Sequence, residues 1–194
     1  MSNIKFGDAM EELIEKAKRN ATRAHKGQTR KYGDKHPYII HPEAVSTLVR
    51  TSSDVIPEMV AAAWLHDVVE DTDWTIEEVR TEFGQVIGDL VDELTNPSKQ
   101  YPNFSRGKRK QIDRDHTANI SDAAKTIKTA DRLHNLKGIL ENAPKDFAEM
   151  YLYETVELFQ LLTGANPCLM KMLWEEILRG LRKCLNTKPK EHPW

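Results

Sequence analysis

The chain has 194 residues, enough for one ordinary domain with a core of its own. Its net charge of −2 and its 30% of charged residues are typical of a well-solvated protein and do not indicate a nucleic-acid binder. No apolar run approaches the ~20 residues that span a bilayer, and the first residues lack the apolar core of a signal peptide. We therefore expect a cytoplasmic protein whose partners include neither a membrane nor a nucleic acid.

Apolar residues recur at helical spacing along nearly the whole chain, which predicts an all-α fold. A first amphipathic helix is followed by a loop, 27–37, that is rich in glycine and basic residues. Pro42 marks the start of a second helix and Pro57 the start of a third. The apolar run from Val60 to Leu65 indicates that the third helix is buried.

Capping residues mark the limits of the helices in the middle of the chain. Thr75 and Glu78 have the spacing of a capping box, and Gly84 stands where that helix should end. Residues 96–107 are rich in proline and polar residues and predict a loop. Ser121 is placed to cap the next long helix.

The last part of the chain predicts two closing helices, 146–162 and 167–185, and then a loose tail, 187–194, with three charged residues and two prolines. We expect the methionines and aromatic residues of these helices to be core or dimer contacts, which leaves a homodimer open. Neither a repeat nor a convincing strand is present. The predicted fold class is therefore a single all-α domain, 1–186, built as a bundle of about eight to ten helices.

One short segment concentrates ionisable side chains beside the apolar run. His66 and Asp67 follow it directly, and Glu70 and Asp71 come one helical turn later on the same faces. Ionisable groups on a buried helix are costly unless they are paired or bound to a metal ion. The segment therefore predicts either a metal site or a hydrogen-bonded core cluster without a metal.

Two residues elsewhere in the chain are suited to join His66 and Asp67. His41 stands at the entrance of the second helix, and Asp131 stands in the middle of a helix among apolar neighbours. Two imidazoles and two carboxylates suit Mn²⁺, Fe²⁺ or Zn²⁺ with positions open to water, whereas a closed structural zinc site would use thiolates. A metal open to water makes hydroxide available near neutral pH.

These residues lie in short sequence motifs that occur in a characteristic order. The motifs are RKYG (30–33), PYIIHP (37–42), LHDVVEDT (65–72), FG (83–84) and ADRLHN (130–135). Over roughly residues 8 to 165, the chain resembles the hydrolase domain of the RelA/SpoT family within the HD superfamily of phosphohydrolases. In length it resembles the small stand-alone alarmone hydrolases of that family, including the metazoan type.

The resemblance implies a metal-dependent enzyme that removes pyrophosphate from the 3′ position of the alarmones ppGpp and pppGpp. The ligands that it implies, with Mn²⁺ as the usual ion, are His41, His66, Asp67 and Asp131. It also implies that Glu70 and Asp71 are the acidic pair that positions and activates the attacking water.

The same resemblance implies the contacts with the nucleotide. Arg30 and Lys31 match a basic pair in which arginine stacks on the guanine and lysine neutralises phosphate, and Asn135 matches a residue that contacts the sugar. Arg109 is a further candidate substrate contact. It lies in the basic segment 106–114, which is either a solvated helix face or a surface that reaches the polyphosphate.

Two other functions fit the same residues. An HD phosphohydrolase with the same metal site can act on another phosphorylated nucleotide, such as the 2′-phosphate of NADPH or a nucleoside monophosphate. A sensor can bind an alarmone without cleaving it, but catalytically dead relatives typically lose the histidine–aspartate pair or the acidic pair. This chain keeps both pairs.

Overall fold

The computed structural model of the protein describes residues 7–32 and 35–185. Within these residues the predicted all-α fold is confirmed: a single bridge between Thr29 and Pro37 is the only β pairing. No described helix combines the length and hydrophobicity that a bilayer crossing requires. The predicted tail, 187–194, lies outside the described residues, so the domain limits remain a prediction.

The described residues form ten α-helices and one 3₁₀ helix. The α-helices are α1 (Asp8–Ala24), α2 (Ile40–Arg50), α3 (Pro57–Leu65), α4 (Val68–Asp71), α5 (Ile76–Phe83), α6 (Gln85–Leu94), α7 (Arg106–Asn119), α8 (Asp122–Asn142), α9 (Lys145–Phe159) and α10 (Pro167–Leu185). The 3₁₀ helix, Pro97–Gln100, lies in the segment predicted as a loop, and the basic segment opens α7.

The predicted caps are present. The Thr75 side chain accepts from the Glu78 N–H and the Glu78 carboxylate accepts from the Thr75 N–H, so both halves of the capping box form. Gly84 ends α5 with a φ of +87°, a conformation that glycine adopts without steric cost. The Ser121 hydroxyl accepts from the Ala124 N–H at the start of α8.

Helix α3 lies at the centre of the larger of two apolar cores. Every residue from Met59 to Leu65 is buried, and α3 packs against α1, α2, α6 and α8. Its small residues Ala61, Ala62 and Ala63 allow close approach of these neighbours. The prediction that this helix is buried is confirmed.

Helix α8 joins the two cores. Its first half, through Ala130, packs in the larger core, and its second half, from Leu133, packs in a smaller core with α9 and α10. Asp131 therefore lies on the longest helix at the level where the two cores meet.

The expectation of one continuous helix through the ionisable segment is wrong. Helix α3 ends at Leu65, and α4 begins at Val68 after a turn that contains His66 and Asp67. The His66 ring donates from Nδ1 to the Ala63 carbonyl, the acceptor that an uninterrupted helix would offer to the Asp67 N–H. The break turns the two side chains towards α2 and α8.

Candidate active site

The structure brings the four predicted metal ligands together from three parts of the fold. His41 is the second residue of α2, His66 and Asp67 form the turn after α3, and Asp131 lies in α8. The His41 Nε2 atom lies 3.3 Å from His66 Nε2, 3.5 Å from Asp67 Oδ2 and 3.1 Å from Asp131 Oδ1. The His66 Nε2 atom lies 3.0 Å from Asp67 Oδ2 and 3.9 Å from Asp131 Oδ1. The His66 Nε2 atom and one oxygen of each carboxylate therefore lie within 3.5 Å of His41 Nε2.

The hydrogen bonds on the far side of each ring set the imidazoles for metal binding. His66 Nδ1 donates to the Ala63 carbonyl at 2.8 Å, so its Nε2 carries the lone pair in the neutral ring. A 2.8 Å hydrogen bond joins His41 Nδ1 to His134 Nδ1, and with His41 as its donor the lone pair of the His41 ring is on Nε2. In the neutral rings both Nε2 atoms carry a lone pair, and with the two carboxylates they form a donor set that suits a divalent metal ion. Within the described residues, His41, His66 and Asp131 offer ligand atoms that all lie within 4.8 Å of one another.

Without a metal ion, the electrostatics of these residues favour a proton on His66, which a bound divalent ion would displace. Burial opposes ionisation of Asp67 and Asp131, yet the neighbouring imidazoles hold the pKa of each carboxyl well below its usual range. Burial lowers the pKa of His41, whereas the two carboxylates outweigh burial and raise the pKa of His66 to about 9. Two partly buried, ionised carboxylates concentrate the negative charge that a divalent cation neutralises.

Tyr38 is a partner of the site that the sequence reasoning missed. Its hydroxyl donates to Asp67 Oδ2 at 2.5 Å and lies 3.4 Å from Asp71 Oδ2. Burial and the Asp67 carboxylate raise the pKa of this phenol, so it is a hydrogen-bond donor throughout the ordinary pH range. Tyr38 therefore links a predicted metal ligand to the predicted acidic pair. The sequence does contain a clue to this role, because Tyr38 lies three residues before His41 in the same motif, PYIIHP.

The acidic pair divides into one buried and one exposed carboxylate, joined by a lysine. The Glu70 side chain is 8% exposed and accepts from the Asn96 N–H at 2.6 Å, whereas the Asp71 side chain is 36% exposed. Lys99 Nζ lies 3.0 Å from Asp71 Oδ1 and 3.5 Å from Glu70 Oε2. Burial raises the pKa of Glu70, which brings this carboxyl closer to the range of a general base. Lys99 lies in the 3₁₀ helix, and no local sequence motif predicts its contact with the acidic pair.

The predicted nucleotide contacts Arg30 and Asn135 are connected to the metal ligands. Arg30 donates to Asn135 Oδ1 at 2.7 Å, and Asn135 donates in turn to Asp131 Oδ1 at 2.6 Å. Pairing across the 27–37 loop holds Arg30 in place, since its N–H donates to the His36 carbonyl at 2.9 Å. Lys31 is exposed and lies over the Tyr32 ring at 5.4 Å.

Two adjoining cavities open at the site. The outer cavity has a volume of about 440 Å³ and is lined by Lys31, Tyr32, His134 and Gly138 among others. The inner cavity has a volume of about 200 Å³ and is lined by Asp67, Asp131, Lys110, Arg114, Lys128 and Arg132 among others. Both cavities are lined by Arg30, Tyr38, Asn135 and Tyr151, so they meet at these residues. The outer cavity is rich in aromatic and apolar groups, and the inner one is rich in cations.

The structure does not bring Arg109 to the lining of either cavity. From the same basic segment, Lys110 and Arg114 line the inner cavity instead. These two residues are four apart and so share one face of α7, whereas Arg109 is turned about 100° from Lys110. The sequence alone could not show which of the basic residues in this segment face the cavity, because they are spread around the helix.

Comparisons with known proteins agree with this geometry. The HD-domain family profile matches residues 17–168. The chain is 35% identical over 162 residues to the guanosine-3′,5′-bis(diphosphate) 3′-pyrophosphohydrolase MESH1 of Xenopus tropicalis, a match that covers 81% of this chain and 88% of the relative. It is 36% identical over 183 residues to the human protein of the same name, covering 92% and 97% of the two chains.

A solved structure is similar over nearly its full length. It is that of a metazoan ortholog of SpoT described as hydrolysing ppGpp, and it superposes with a TM-score of 0.80 at 29% identity, covering 91% of this chain and 98% of that one. With the family match and the identities of more than 30% to complete relatives, the chain belongs to the HD-domain family, in the group of the MESH1-type proteins.

Proposed function

We propose that this protein is a metal-dependent 3′-pyrophosphohydrolase that converts ppGpp or pppGpp, with water, to GDP or GTP and pyrophosphate. The observation that carries the proposal is the clustering of His41, His66, Asp67 and Asp131 beside the inner cavity, which the two aspartates line, and near the acidic pair. The names of the MESH1 relatives, which the chain covers nearly completely, support the same activity.

The four converging side chains would hold one divalent ion, and we propose Mn²⁺ because a mixed set of imidazoles and carboxylates suits it. When bound, the ion would neutralise phosphate charge and lower the pKa of a water molecule. Tyr38 and His134 keep the ligands oriented, since one donates to Asp67 and the other is hydrogen-bonded to His41.

Glu70 and Asp71 would orient the attacking water and accept its proton. Their positions are suited to this role. The Tyr38 hydroxyl contacts both Asp67 and Asp71, and Glu70 follows Asp67 by about one helical turn. The new bond forms between the water oxygen and the 3′-phosphorus, and the bond between that phosphorus and the ribose 3′ oxygen breaks. The 3′ oxygen takes up a proton and remains on the nucleoside as a hydroxyl.

The outer cavity would hold the nucleoside. Arg30 lies over the Tyr38 ring at 5.7 Å, and Tyr32 and Tyr151 also line this cavity, so planar groups are available to stack on a base. Asn135, hydrogen-bonded to Arg30 and to Asp131, stands where a sugar between the base and the metal site would lie.

A substrate panel tests the proposal. The protein would be incubated with Mn²⁺ and, separately, with ppGpp, pppGpp, pGpp, NADPH and deoxynucleoside triphosphates, and the products would be separated by ion exchange. We expect turnover of the guanosine 3′-pyrophosphates with release of pyrophosphate. Turnover of NADPH alone, with release of orthophosphate, would replace the proposal with a 2′-phosphatase function. Binding of ppGpp without any product would replace it with a sensor function.

Assembly and location remain predictions. We propose that the protein can form a homodimer through its closing helices. Tyr153 on α9 and Trp174 on α10 are 61% and 43% exposed, so both aromatic side chains are available for such a contact. Light scattering tests the dimer, and cell fractionation tests the cytoplasmic location.

A further inference from the structure

The inner cavity is lined by a guanidinium group of which two nitrogen atoms lack a hydrogen-bond partner among the described residues. Arg132 lines this cavity, and its Nε and Nη1 atoms are buried without a hydrogen-bond partner among the described residues. The guanidinium lies over the Tyr151 ring at 4.5 Å, which holds it in place but satisfies none of its donors. Buried donors are normally paired, so these atoms indicate an acceptor that binds from outside the chain.

Two lysines in the same cavity make no hydrogen bond to a carboxylate among the described residues, although the charge of Lys128 also acts on the buried Glu70. Lys128 Nζ donates to two uncharged oxygens, the Leu94 carbonyl at 3.2 Å and Asn96 Oδ1 at 3.1 Å. Lys110 Nζ lies 3.8 Å from the Asp113 carboxylate, too far for a hydrogen bond. Burial and the charge of Arg132 lower the pKa of Lys110, which is the effect expected where cations are crowded.

The carboxylates of this cavity that do not face the metal are engaged elsewhere. Glu154 accepts two hydrogen bonds from Arg106, at 2.8 and 2.9 Å. Asp113 accepts from the N–H and the hydroxyl of Ser98, at 3.2 and 3.0 Å. Asp67 and Asp131 face the point at which the four metal ligands converge. The cationic group of Arg132, Lys110 and Lys128 is therefore suited to bind an anion.

The place of this cationic group relative to the metal ligands identifies the anion. The inner cavity shares Asp67 and Asp131 with the metal site and is less than half the volume of the outer cavity. With a nucleoside in the outer cavity and the reacting phosphate at the metal ligands, the inner cavity lies next to the second phosphate of a 3′-pyrophosphoryl group. We propose that Arg132, Lys110 and Lys128 form a subsite for this terminal phosphate. The inference rests on the proposed function and deepens it, because the subsite distinguishes a pyrophosphoryl group from a single phosphate.

Pyrophosphate binding tests the subsite without turnover. Isothermal titration calorimetry would measure the affinity of the metal-loaded protein for inorganic pyrophosphate, orthophosphate and GDP in the wild type, Arg132→Met and Lys110→Met. Lys108→Met is the matched control, because Lys108 lies on the same helix, is exposed over the Phe104 ring and lines neither cavity. Metal content and thermal unfolding would be recorded for every variant. Lys110→Met keeps the test decisive if the loss of the Arg132 stacking contact disturbs the fold.

We expect each subsite variant to bind pyrophosphate about tenfold or more weakly than the control, as the loss of a charge-assisted contact with phosphate implies. We expect a smaller effect on orthophosphate and none on GDP. Pyrophosphate affinity equal to that of the control in both variants would overturn the subsite, as would an equal loss for GDP.

The outcome is separate from that of the proposed function. A wild-type protein that binds pyrophosphate through these residues but does not hydrolyse ppGpp would overturn the function and leave the subsite. A ppGpp hydrolase whose two variants bind pyrophosphate normally would overturn the subsite alone.

Discussion

At the scale of single residues, hydrogen bonds behind the proposed metal ligands hold these side chains in place. The Tyr38 hydroxyl donates to Asp67 on one side, and His134 is hydrogen-bonded to His41 on the other. Such partners fix the orientation of ligands, so their removal weakens metal binding without removing a ligand. The site thus depends on residues that carry no catalytic signature of their own.

Replacement of Tyr38 by phenylalanine tests this dependence. Tyr38→Phe removes the hydroxyl that donates to Asp67, and we expect metal affinity to fall by about tenfold or more. Titration with Mn²⁺ against a competing chelator measures the change. Tyr153→Phe, an exposed tyrosine on α9, is the control and should bind the ion like the wild type. Equal metal affinity in both variants would show that the Tyr38 hydroxyl does not support metal binding.

Replacement of Glu70 by glutamine separates metal binding from turnover. Glu70→Gln keeps the shape and the acceptor for the Asn96 N–H but removes the base, so we expect metal content to stay and turnover to fall by roughly 10²-fold or more. Metal analysis and a pyrophosphate-release assay on the same sample measure both. The control is Glu77→Gln, whose side chain is 81% exposed on α5. A fully active Glu70→Gln protein would exclude Glu70 as the base.

At the scale of elements, the break between α3 and α4 and the length of α8 create the site. The break directs His66 and Asp67 towards α2 and α8, and α8 carries Asp131 and Asn135 on one face, four residues apart. The start of α8 is in turn held by the turn before α10, where the Asn166 N–H donates to Thr126 Oγ1 at 3.0 Å.

A glycine in that turn is needed for this packing. Gly164 has a φ of +97°, and a Cβ atom there would overlap the Asp122 carboxylate at the start of α8. We expect Gly164→Ala to lower the free energy of unfolding by at least about 1 kcal/mol, because strain and overlap add. Urea unfolding measures the loss. Gly107→Ala in α7, where a Cβ meets nothing within 4 Å, should cause no loss. Equal stability of the two variants would contradict this account of the turn.

The sequence predicts the elements of the fold better than the contacts between them. Capping by Thr75 and Ser121 depends on neighbours along the chain, and both caps are present. The break after Leu65 was not predictable, because it depends on a side chain that competes for a backbone acceptor. Lys99 and Arg132 were also missed, since their roles depend on groups brought close only by the folded chain. The proposed ligand set could be predicted because its residues lie in distinctive sequence motifs, and the structure brings these residues close together.

At the scale of the whole molecule, the metal site couples the chemistry to stability. Residues from α2, the turn after α3, and α8 meet at one point between the two cores, so an ion bound there ties these parts together. An ion that binds the folded chain and not the unfolded chain stabilises the fold by mass action.

Removal of the metal should therefore lower the melting temperature. At an ion concentration of about 100 times its dissociation constant, binding adds about 2.7 kcal/mol, and we expect chelation to lower Tm by roughly 5–10 °C for a chain of this size. Differential scanning calorimetry with and without Mn²⁺ measures the shift. The Asp131→Ala variant should lose this dependence on the ion. A Tm that does not respond to chelation in the wild type would indicate that no structural link to the ion exists.

One measurement tests the central claim, metal-dependent release of pyrophosphate, most directly. Wild-type protein and Asp131→Ala would be incubated with ppGpp and Mn²⁺, and bound metal, GDP and pyrophosphate would be quantified in the same samples. We predict equal amounts of GDP and pyrophosphate from the wild type, and neither bound metal nor product from Asp131→Ala. Full activity of metal-free Asp131→Ala, or release of orthophosphate in place of pyrophosphate by the wild type, would contradict the claim.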